Sequence, residues 1–361
     1  MKNLVQRASR LGLAVVVMGG VALSSCKKDE STTVYGNWTK ASSFAGAARR
    51  SAVSFVINGV AYVGTGIDGS GTRLSDFYSF SPTAGWIRLT PMPGDARYSA
   101  VAFTANGKGY VGTGLAANSG TPLADFYEFN PGVNTTTTTT VNGVTTTTTT
   151  LGSWRRVADM PVNSGTTGRY GAVATNIGNI GYVGCGFDGN SEKDFYMFDP
   201  TQGSTGTWTA LNGFPGDKRV NGTVFTIGNV MYVGAGTNNG NTVTDFSAYD
   251  ATAKTWSVKR NLANQTTGSD IYDYSAVART QAVGFTIGNY GYLATGSSRT
   301  DCYQYNPADD TWTKMNPFLG QARNNAVGFT IGSYGYVGLG YNSSTQPYDD
   351  FYQLDPTITQ Q

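Results

Sequence analysis

Apolar and polar residues alternate in short runs along most of this chain, and the clearest runs follow six arginines. From each of these arginines the sequence reads Arg-x-x-Ala-Val-x-Phe or a close variant, so that every second position is apolar or small. A period of two predicts a half-buried β-strand. The six copies begin at Arg49, Arg97, Arg169, Arg219, Arg279 and Arg323.

Each copy predicts three further strands. A turn such as Ile287-Gly288-Asn289 leads to a second strand that ends in Gly-x-Gly, for example Gly64-Thr65-Gly66, or in the fifth copy in Ala294-Thr295-Gly296. A third strand opens on Asp, as in Asp76-Phe77-Tyr78, and in most copies stops at a proline, which cannot donate to a ladder. The fourth strand carries a tryptophan. With 48 Gly, 22 Tyr and only 13% charged residues, the composition favours strands and turns over helices.

The spacing of the copies predicts the architecture. An Arg stands eleven residues after a Trp in four of the six copies. Recurrence every forty-odd to roughly sixty residues, with the second period stretched by an insertion, is typical of an array in which each copy is one supersecondary unit. Small residues on the first strand fit innermost strands that converge on an axis. We therefore predict an all-β fold, a six-bladed β-propeller with four-stranded antiparallel blades.

The ends of the chain predict how the ring closes. The sixth copy ends at Asp355-Pro356 without a Trp, whereas Trp38 has no strands before it. The segment around Trp38 is therefore expected to complete the last blade by pairing with residues 351–355. Closure of this kind removes exposed sheet edges between the first and last blades.

The order of the landmarks Arg, Tyr-Val-Gly, Asp-Pro and Trp resembles the kelch repeat over residues 36–356. One feature departs from that family: where the kelch repeat has a pair of glycines, this chain has Gly-x-Gly. Bacterial relatives of this kind are often labelled galactose-oxidase-like. The chain contains no His, which excludes His-ligated copper or zinc and Ser-His-Asp or Cys-His catalysis. We predict no cofactor and no metal site.

Residues 1–25 have the layout of a secretory signal. Lys2, Arg7 and Arg10 precede an apolar stretch at 11–23 that is too short to span a bilayer permanently. The end, Leu-Ser-Ser-Cys26, resembles the lipobox of bacterial lipoproteins, which implies lipidation of Cys26. The alternative is a simple secretory signal with an incidental Cys.

Residues 27–30 read Lys-Lys-Asp-Glu. They resemble the charged stretch of surface-exposed lipoproteins of the Bacteroidetes, although a plain solvated linker gives the same pattern. The predicted organisation is a signal at 1–25, a lipidated Cys and tether at 26–35, and the propeller at 36–361. The expected location is the outer membrane.

A low-complexity insert at residues 135–150 interrupts the second copy. Two runs of six threonines flank Val141-Asn142-Gly143-Val144. Low complexity is typical of disorder, but Thr favours strands and Asn-Gly is a strong hairpin signal. We favour a protruding hairpin over a disordered loop.

The six repeat arginines allow two interpretations. Each precedes an innermost strand, so all six should surround one mouth of the central channel. There they could bind a carboxylate or sulfate through forked hydrogen bonds. Alternatively, each pairs with the Asp that opens the third strand of its own copy, since that Asp should reach the same end of the blade.

Residues 257–278 form the longest connection from a Trp to the next Arg. Aromatic rings with carboxylates suit sugar stacking or a protein contact, and loops carry function more often than scaffold strands do. A ligand site is therefore expected around Arg219, Arg279 and this loop. Its candidate residues are Asp270, Tyr272, Asp273 and Tyr274, and loops expected on the same face carry Phe187, Asp188, Tyr341 and Tyr348.

The remaining composition narrows the partners. A net charge of +2, with scattered Lys and Arg, predicts no nucleic-acid partner. Cys185 and Cys302 lie at non-equivalent positions two copies apart, which predicts separate buried thiols rather than a disulfide.

These features favour a membrane-anchored, non-catalytic recognition module for glycans or proteins at the cell envelope. One alternative is a metal-independent sugar epimerase or mutarotase, resembling bacterial kelch propellers that epimerise sialic acids with an Arg and an acidic residue in the channel. No Glu is obviously placed for that role. A purely structural envelope component is the other alternative.

Overall fold

The structure, a computed structural model, describes residues 34–116, 120–342 and 346–359. Six four-stranded antiparallel sheets form the blades of a β-propeller, which confirms the predicted fold class. The compact unit is Val34–Gln361, and the predicted signal, Cys26 and most of the tether lie outside the described residues. Within the described ranges, no helix is long and apolar enough to cross a bilayer.

In blades 1 to 5 the strands follow chain order from the channel outwards, and in blade 6 the N-terminal strand is the outermost. The strands of blade 1 are Val53–Ile57, Val60–Gly64, Phe77–Ser81 and Gly85–Arg88. Those of blade 2 are Val101–Ala105, Lys108–Gly112, Phe126–Asn130 and Ser153–Val157. Those of blade 3 are Val173–Ile177, Ile180–Gly184, Phe195–Asp199 and Thr207–Leu211. The strands of blade 4 are Thr223–Ile227, Val230–Gly234, Phe246–Asp250 and Thr255–Val258. Those of blade 5 are Val283–Ile287, Tyr290–Ala294, Cys302–Asn306 and Thr311–Met315. Those of blade 6 are Val327–Ile331, Tyr334–Gly338, Phe351–Thr359 and Tyr35–Lys40. Four short ladders pair two-residue segments of the loops with each other. The pairs are Arg49–Arg50 with Ile67–Asp68, Arg97–Tyr98 with Leu115–Ala116, Thr237–Asn238 with Asn241–Thr242, and Asn264–Gln265 with Tyr272–Asp273.

The N-terminal strand closes the ring as predicted. Tyr35–Lys40 pairs antiparallel with Phe351–Thr359, with Trp38 opposite Leu354. The Trp38 side chain is 2% exposed, and its indole N–H donates to the carbonyl of Asn316 in blade 5 at 3.2 Å. The last blade is therefore built from both ends of the propeller and is also bonded to its neighbour.

At four of the six seams, adjacent blades interlock through a phenylalanine of one inner strand and a glycine of the next blade. A Cβ added to Gly109 would lie 2.2 Å from the Phe55 ring, so only glycine leaves room for that ring. Where blade 3 has Thr175 in place of the phenylalanine, blade 4 has the larger Met231 in place of the glycine. The Phe–Gly pairs are Phe55 with Gly109, Phe103 with Gly181, Phe225 with Gly291, and Phe285 with Gly335.

The threonine insert is a two-stranded hairpin, Thr135–Val141 with Val144–Thr150. Its two-residue turn has φ of 50° at Asn142 and 78° at Gly143, the left-handed values that a type I′ turn needs. At the base, the Thr90 hydroxyl donates to the Thr150 hydroxyl at 2.9 Å. Beyond the base the hairpin is exposed to solvent.

Both cysteines of the described chain are buried free thiols, as the spacing predicted. Burial raises the pKa of Cys185 and of Cys302 to about 12. Neither thiol is therefore ionised at neutral pH, and neither is available as a nucleophile.

Candidate functional site

The six repeat arginines are buried at one end of the blades, with at most 2% of each residue exposed. In four blades the guanidinium makes a two-pronged ion pair with the Asp that opens the third strand of the same blade. The shortest N–O distances are 2.5–2.6 Å, for Arg49 with Asp76, Arg97 with Asp125, Arg169 with Asp194, and Arg323 with Asp350. In blade 4, Arg219 bonds Asp245 through one nitrogen.

Each guanidinium also supports the end of the second strand. Its Nη1 donates, at 2.9–3.1 Å, to the carbonyl of the middle residue of Gly-x-Gly. That residue has φ of 57–59°, which turns its carbonyl out of the sheet ladder. The acceptors are Thr65, Thr113, Cys185, Ala235, Thr295 and Leu339.

The backbone of the same segment links neighbouring blades. The last glycine of each Gly-x-Gly segment, and of Ala294-Thr295-Gly296 in blade 5, donates to the carbonyl of the repeat arginine in the following blade, as Gly66 does to Arg97 at 2.8 Å. Six such bonds of 2.7–2.9 Å form a closed circle, because Gly340 of blade 6 donates to Arg49 of blade 1.

A second circle lies two residues further on, at the channel mouth. Six residues with φ of 52–60° each donate their N–H to the carbonyl of the corresponding residue in the preceding blade, at 2.8–3.1 Å. Left-handed backbone at a non-glycine residue is uncommon. We call this circle the mouth ring; it consists of Ser51, Ser99, Gly171, Asn221, Gln281 and Asn325.

The arginines are therefore committed to the scaffold in this structure, as the pairing interpretation predicts. Their side chains are buried, and their nitrogens bond aspartates and carbonyls. Direct ligand contact by Arg49, Arg97, Arg169, Arg219, Arg279 and Arg323 stays a prediction, and it would require these contacts to open.

Blade 5 has the loosest of the six ion pairs. Arg279 Nη2 lies 3.6 Å from Asp301, whose side chain is 30% exposed, and donates instead to the carbonyl of Ala276. Burial lowers the pKa of Arg279. Burial acts in the same direction on Arg169, but there the hydrogen bond to Asp194 and the charge of Asp194 together outweigh it and raise the pKa.

The long loop of residues 257–278 packs into the seam between blades 4 and 5. Tyr272 stacks on Tyr274 with ring centroids 4.7 Å apart. Tyr274 is only 9% exposed and belongs to the same apolar cluster as Leu262 and Val277. These two tyrosines act as packing groups between the blades.

The charged residues of this loop are likewise engaged. Asp270 forms an ion pair with Arg260 at 2.7 Å, and Arg260 also donates to the carbonyls of Asp309 and Asp310 in blade 5. Asp273 is exposed and accepts hydrogen bonds from Ser275. None of the four candidate loop residues lines the channel itself, and their part in ligand binding stays a prediction.

The central channel is neutral and hydroxylated. The section lined by Phe55, Thr104 and Thr330 has a volume of about 410 Å³. The Thr104 hydroxyl donates to Asn176, and the Thr330 hydroxyl to the carbonyl of Thr286, at 3.1 and 2.7 Å. Along the described channel wall there is no Asp, Glu, Lys or Arg, so no Arg–acid pair faces the lumen.

The one deeply buried glutamate of the described chain lies inside blade 2, away from the channel. Glu128 is 3% exposed and accepts hydrogen bonds from Arg155, Lys108 and Tyr110 at 2.6–2.9 Å. Burial would raise the pKa of Glu128, but these hydrogen bonds outweigh it and lower the pKa. The carboxylate is therefore a structural charge centre.

Half-buried aromatic and cationic side chains follow one another around part of the channel mouth. Arg50 lies 4.7 Å from the ring of Tyr341, and Arg73 lies 5.3 Å from the ring of Tyr98. Ile67 joins the two arginines, because it pairs with Arg50 on one side and Arg73 on the other.

The series continues into blade 3. The ring centroids of Tyr170 and Phe187 lie 5.4 Å apart. Burial, together with the neighbouring Tyr98, raises the pKa of Tyr170. We call this series over blades 6, 1, 2 and 3 the mouth arc; it consists of Tyr341, Arg50, Arg73, Tyr98, Tyr170 and Phe187.

The two arginines of the arc differ from the repeat arginines. Neither Arg50 nor Arg73 has a carboxylate within ion-pair distance in the described parts of the chain, and Nε of Arg73 is buried without a hydrogen-bond partner. The adjacent Asp68 accepts hydrogen bonds at Oδ1 from the N–H groups of Ser70 and Thr72 and forms no ion pair with either arginine. The arc therefore offers positive charge beside aromatic surface.

Sequence analysis anticipated the loops of Phe187 and Tyr341 but missed the other members of the arc. Arg50, Tyr98 and Tyr170 each follow a repeat arginine directly. That position varies among the copies, as Arg, Tyr, Tyr, Val, Thr and Asn, so an alignment on shared landmarks treats it as a variable strand residue. Its place beside the mouth ring is the signal that would have identified it.

No protein-family model matches this chain, and no curated protein matches it. Among solved structures, that of YjhT is similar over 85% of this chain and 95% of its own, with a TM-score of 0.65 and 16% sequence identity. At this identity the likeness shows the shared propeller fold alone.

Replacement of the repeat aspartates should separate tight from loose ion pairs. We expect Asp125→Ala to lower the free energy of unfolding by about 3–5 kcal/mol, because it leaves the Arg97 charge buried and unpaired. Asp301→Ala, the matched change in blade 5, should cost only about 1 kcal/mol, since its pair is longer and more exposed. Urea unfolding of both variants tests this, and equal losses would contradict the contrast.

Glu128 should make stability depend on pH. Because its folded pKa is lowered, its contribution is present above the ordinary range of about 4.3 and is lost as pH falls through the folded pKa. The stability difference between wild type and Glu128→Gln, measured by urea unfolding from neutral to acid pH, should therefore shrink at low pH.

Glu192→Gln is the control for that experiment. Burial, followed by the charge of Asp188, raises the pKa of Glu192, so its ionised form is disfavoured in the folded state. This variant should be at least as stable as wild type at neutral pH. A loss of the same size in both variants would contradict the assignment to Glu128.

Proposed function

We propose that this chain is a non-catalytic recognition module that binds glycans bearing carboxylate or sulfate groups at the mouth arc. The observation that supports this most strongly is the pair of arginines without carboxylate partners, Arg50 and Arg73, set among exposed aromatic edges. Guanidinium groups bind carboxylate and sulfate through forked hydrogen bonds. Aromatic rings supply large apolar contact area with a polar tip, which suits the faces of sugar rings.

The position of the arc also supports recognition. The mouth ring holds Arg50, Tyr98 and Tyr170 on rigid backbone, so little conformational entropy is lost when they bind a ligand. Loops placed on a rigid scaffold are the usual location of binding residues. A protein partner would use the same groups, but paired cations beside half-exposed tyrosines favour an acidic sugar.

The channel supports the non-catalytic interpretation over the epimerase alternative. An epimerase must move a proton at a sugar carbon, which needs an acid or base within hydrogen-bond reach of that carbon. The described lumen offers hydroxyl and amide groups, whose ordinary pKa values do not suit that task. A structural envelope component would have no need of unpaired cations at the mouth.

The proposal includes the kelch-type and lipoprotein character that the sequence resembles. In it, Cys26 is lipidated and the tether at 26–35 joins the propeller to the outer membrane. Acyl chains bind membranes through about 0.8 kcal/mol per buried methylene.

Mass spectrometry of the protein from an envelope fraction tests the anchor. We expect a mature N-terminus at Cys26 whose mass is increased by acyl chains. A mature N-terminus at another residue, or an unmodified Cys26, would reject this part of the proposal without affecting the glycan site.

Glycan binding is tested by calorimetry with three probes: oligogalacturonate, heparin oligosaccharides and neutral maltooligosaccharides. We expect the full chain to bind at least one acidic probe and not the neutral one. Arg50→Ala with Arg73→Ala should weaken that binding by roughly tenfold or more, the effect of losing a charged hydrogen bond of about 1–3 kcal/mol. Tyr98→Ala with Tyr170→Ala should also weaken it.

Matched controls lie at the opposite end of the channel. Tyr290 and Tyr334 are exposed tyrosines beside the turns of blades 5 and 6. Their double replacement by Ala should leave the affinity unchanged. Binding that survives the arc variants but is lost in this control would place the site at the other end and overturn the proposal.

A further inference from the structure

The threonine hairpin has two long edges that no other described strand covers. Residues 136–140 and 145–149 are exposed, and neither strand contains a charged residue or a proline. Edge strands usually avoid strand addition by means of Lys, Pro or a bulge. A two-stranded hairpin is also only marginally stable in water, and additional strands stabilise it.

The hydroxyl contacts show which backbone groups point outwards. Hydroxyl oxygens meet across the hairpin at 3.0–3.4 Å in three pairs. In an antiparallel ladder the closest side chains belong to pairs that are not hydrogen-bonded to each other. The N–H and C=O groups of these residues therefore point away from the hairpin; the pairs are Thr136 with Thr149, Thr138 with Thr147, and Thr140 with Thr145.

The two edges are not equivalent. Thr90 contacts the base of the second strand, donating from its hydroxyl to Thr150 and from its N–H to the carbonyl of Leu151 at 3.1 Å. This part of blade 1 flanks the base of the Val144–Thr150 strand. The Thr135–Val141 edge is the less obstructed one.

We propose that two copies of this chain associate by antiparallel pairing of their Thr135–Val141 edges. With Thr138 opposite Thr138 of a second copy, Thr136 of each copy lies opposite Thr140 of the other. Every outward backbone group of the three residues is then paired, because each facing pair exchanges two N–H···O bonds. The arrangement has two-fold symmetry, which closes the assembly as a dimer.

A second copy is the favoured occupant because the edge is complementary to itself. The outward residues are evenly spaced and chemically identical, so reversing the strand direction reproduces the same pattern. The absence of charge removes repulsion between two such edges, and the new Thr–Thr neighbours repeat those inside the hairpin. The contact is small, so the dimer is reversible and depends on concentration.

Proline variants distinguish the two edges. At Thr138 the N–H points outwards, so Thr138→Pro blocks the first edge without removing a bond of the hairpin itself. Thr147→Pro is the matched change on the second edge. By sedimentation velocity over a dilution series of the full chain, wild type and Thr147→Pro should show a concentration-dependent dimer, and Thr138→Pro should be monomeric throughout.

Hydrogen exchange at the amides of Thr137 and Thr139, which point into the hairpin, checks that Thr138→Pro keeps the hairpin. If it does not, Thr138→Lys serves instead, because it retains the N–H and adds repulsion between two edges. A wild type that is monomeric at every concentration, a dimer that survives in the Thr138 variants, or loss of the dimer in Thr147→Pro as well would each overturn the proposal.

Discussion

At one end of each blade of this propeller lies a buried guanidinium, and it fixes the relative positions of three segments of the chain. In blade 2, Arg97 binds the carboxylate of Asp125 at the start of the third strand and the carbonyl of Thr113 at the end of the second. Its own carbonyl accepts from Gly66 of blade 1. A buried ion pair often adds little net stability, since desolvation offsets the attraction. Its contribution here is positional: it fixes how one blade meets the next.

The mouth ring depends on this arrangement. The residue two positions after each arginine can adopt left-handed backbone because the arginine before it is held on both its side chain and its carbonyl. The residue between the repeat arginine and the mouth-ring residue, such as Arg50 or Tyr98, therefore has a fixed backbone, but the scaffold does not restrict which side chain it carries. A constant scaffold position thus lies directly beside a position at which each blade can differ, and the mouth arc is made from such positions.

The repeat made the fold predictable because every copy has the same landmarks, and the missing Trp in the last copy indicated the closing strand. The candidate site was harder to predict. Loop length pointed to residues 257–278, but Tyr274 is used for packing and Asp270 for an ion pair with Arg260. Sequence distance cannot show whether an arginine meets the aspartate of its own copy or the solvent. Arg50 and Tyr170 were missed because their importance comes from the curvature of the ring.

The Phe–Gly contacts show that the blades are not independent modules. The ring of Phe55 in blade 1 fits only because blade 2 has Gly109, and the absence of a phenylalanine at Thr175 in blade 3 is matched by Met231 in blade 4. Blade 4 moved alone to follow a blade with the phenylalanine would bring Met231 against that ring, and a blade with the glycine placed after blade 3 would leave a void. The first strand of one blade and the second strand of the next therefore have to change together, so the unit that can be duplicated or exchanged is the seam between two blades.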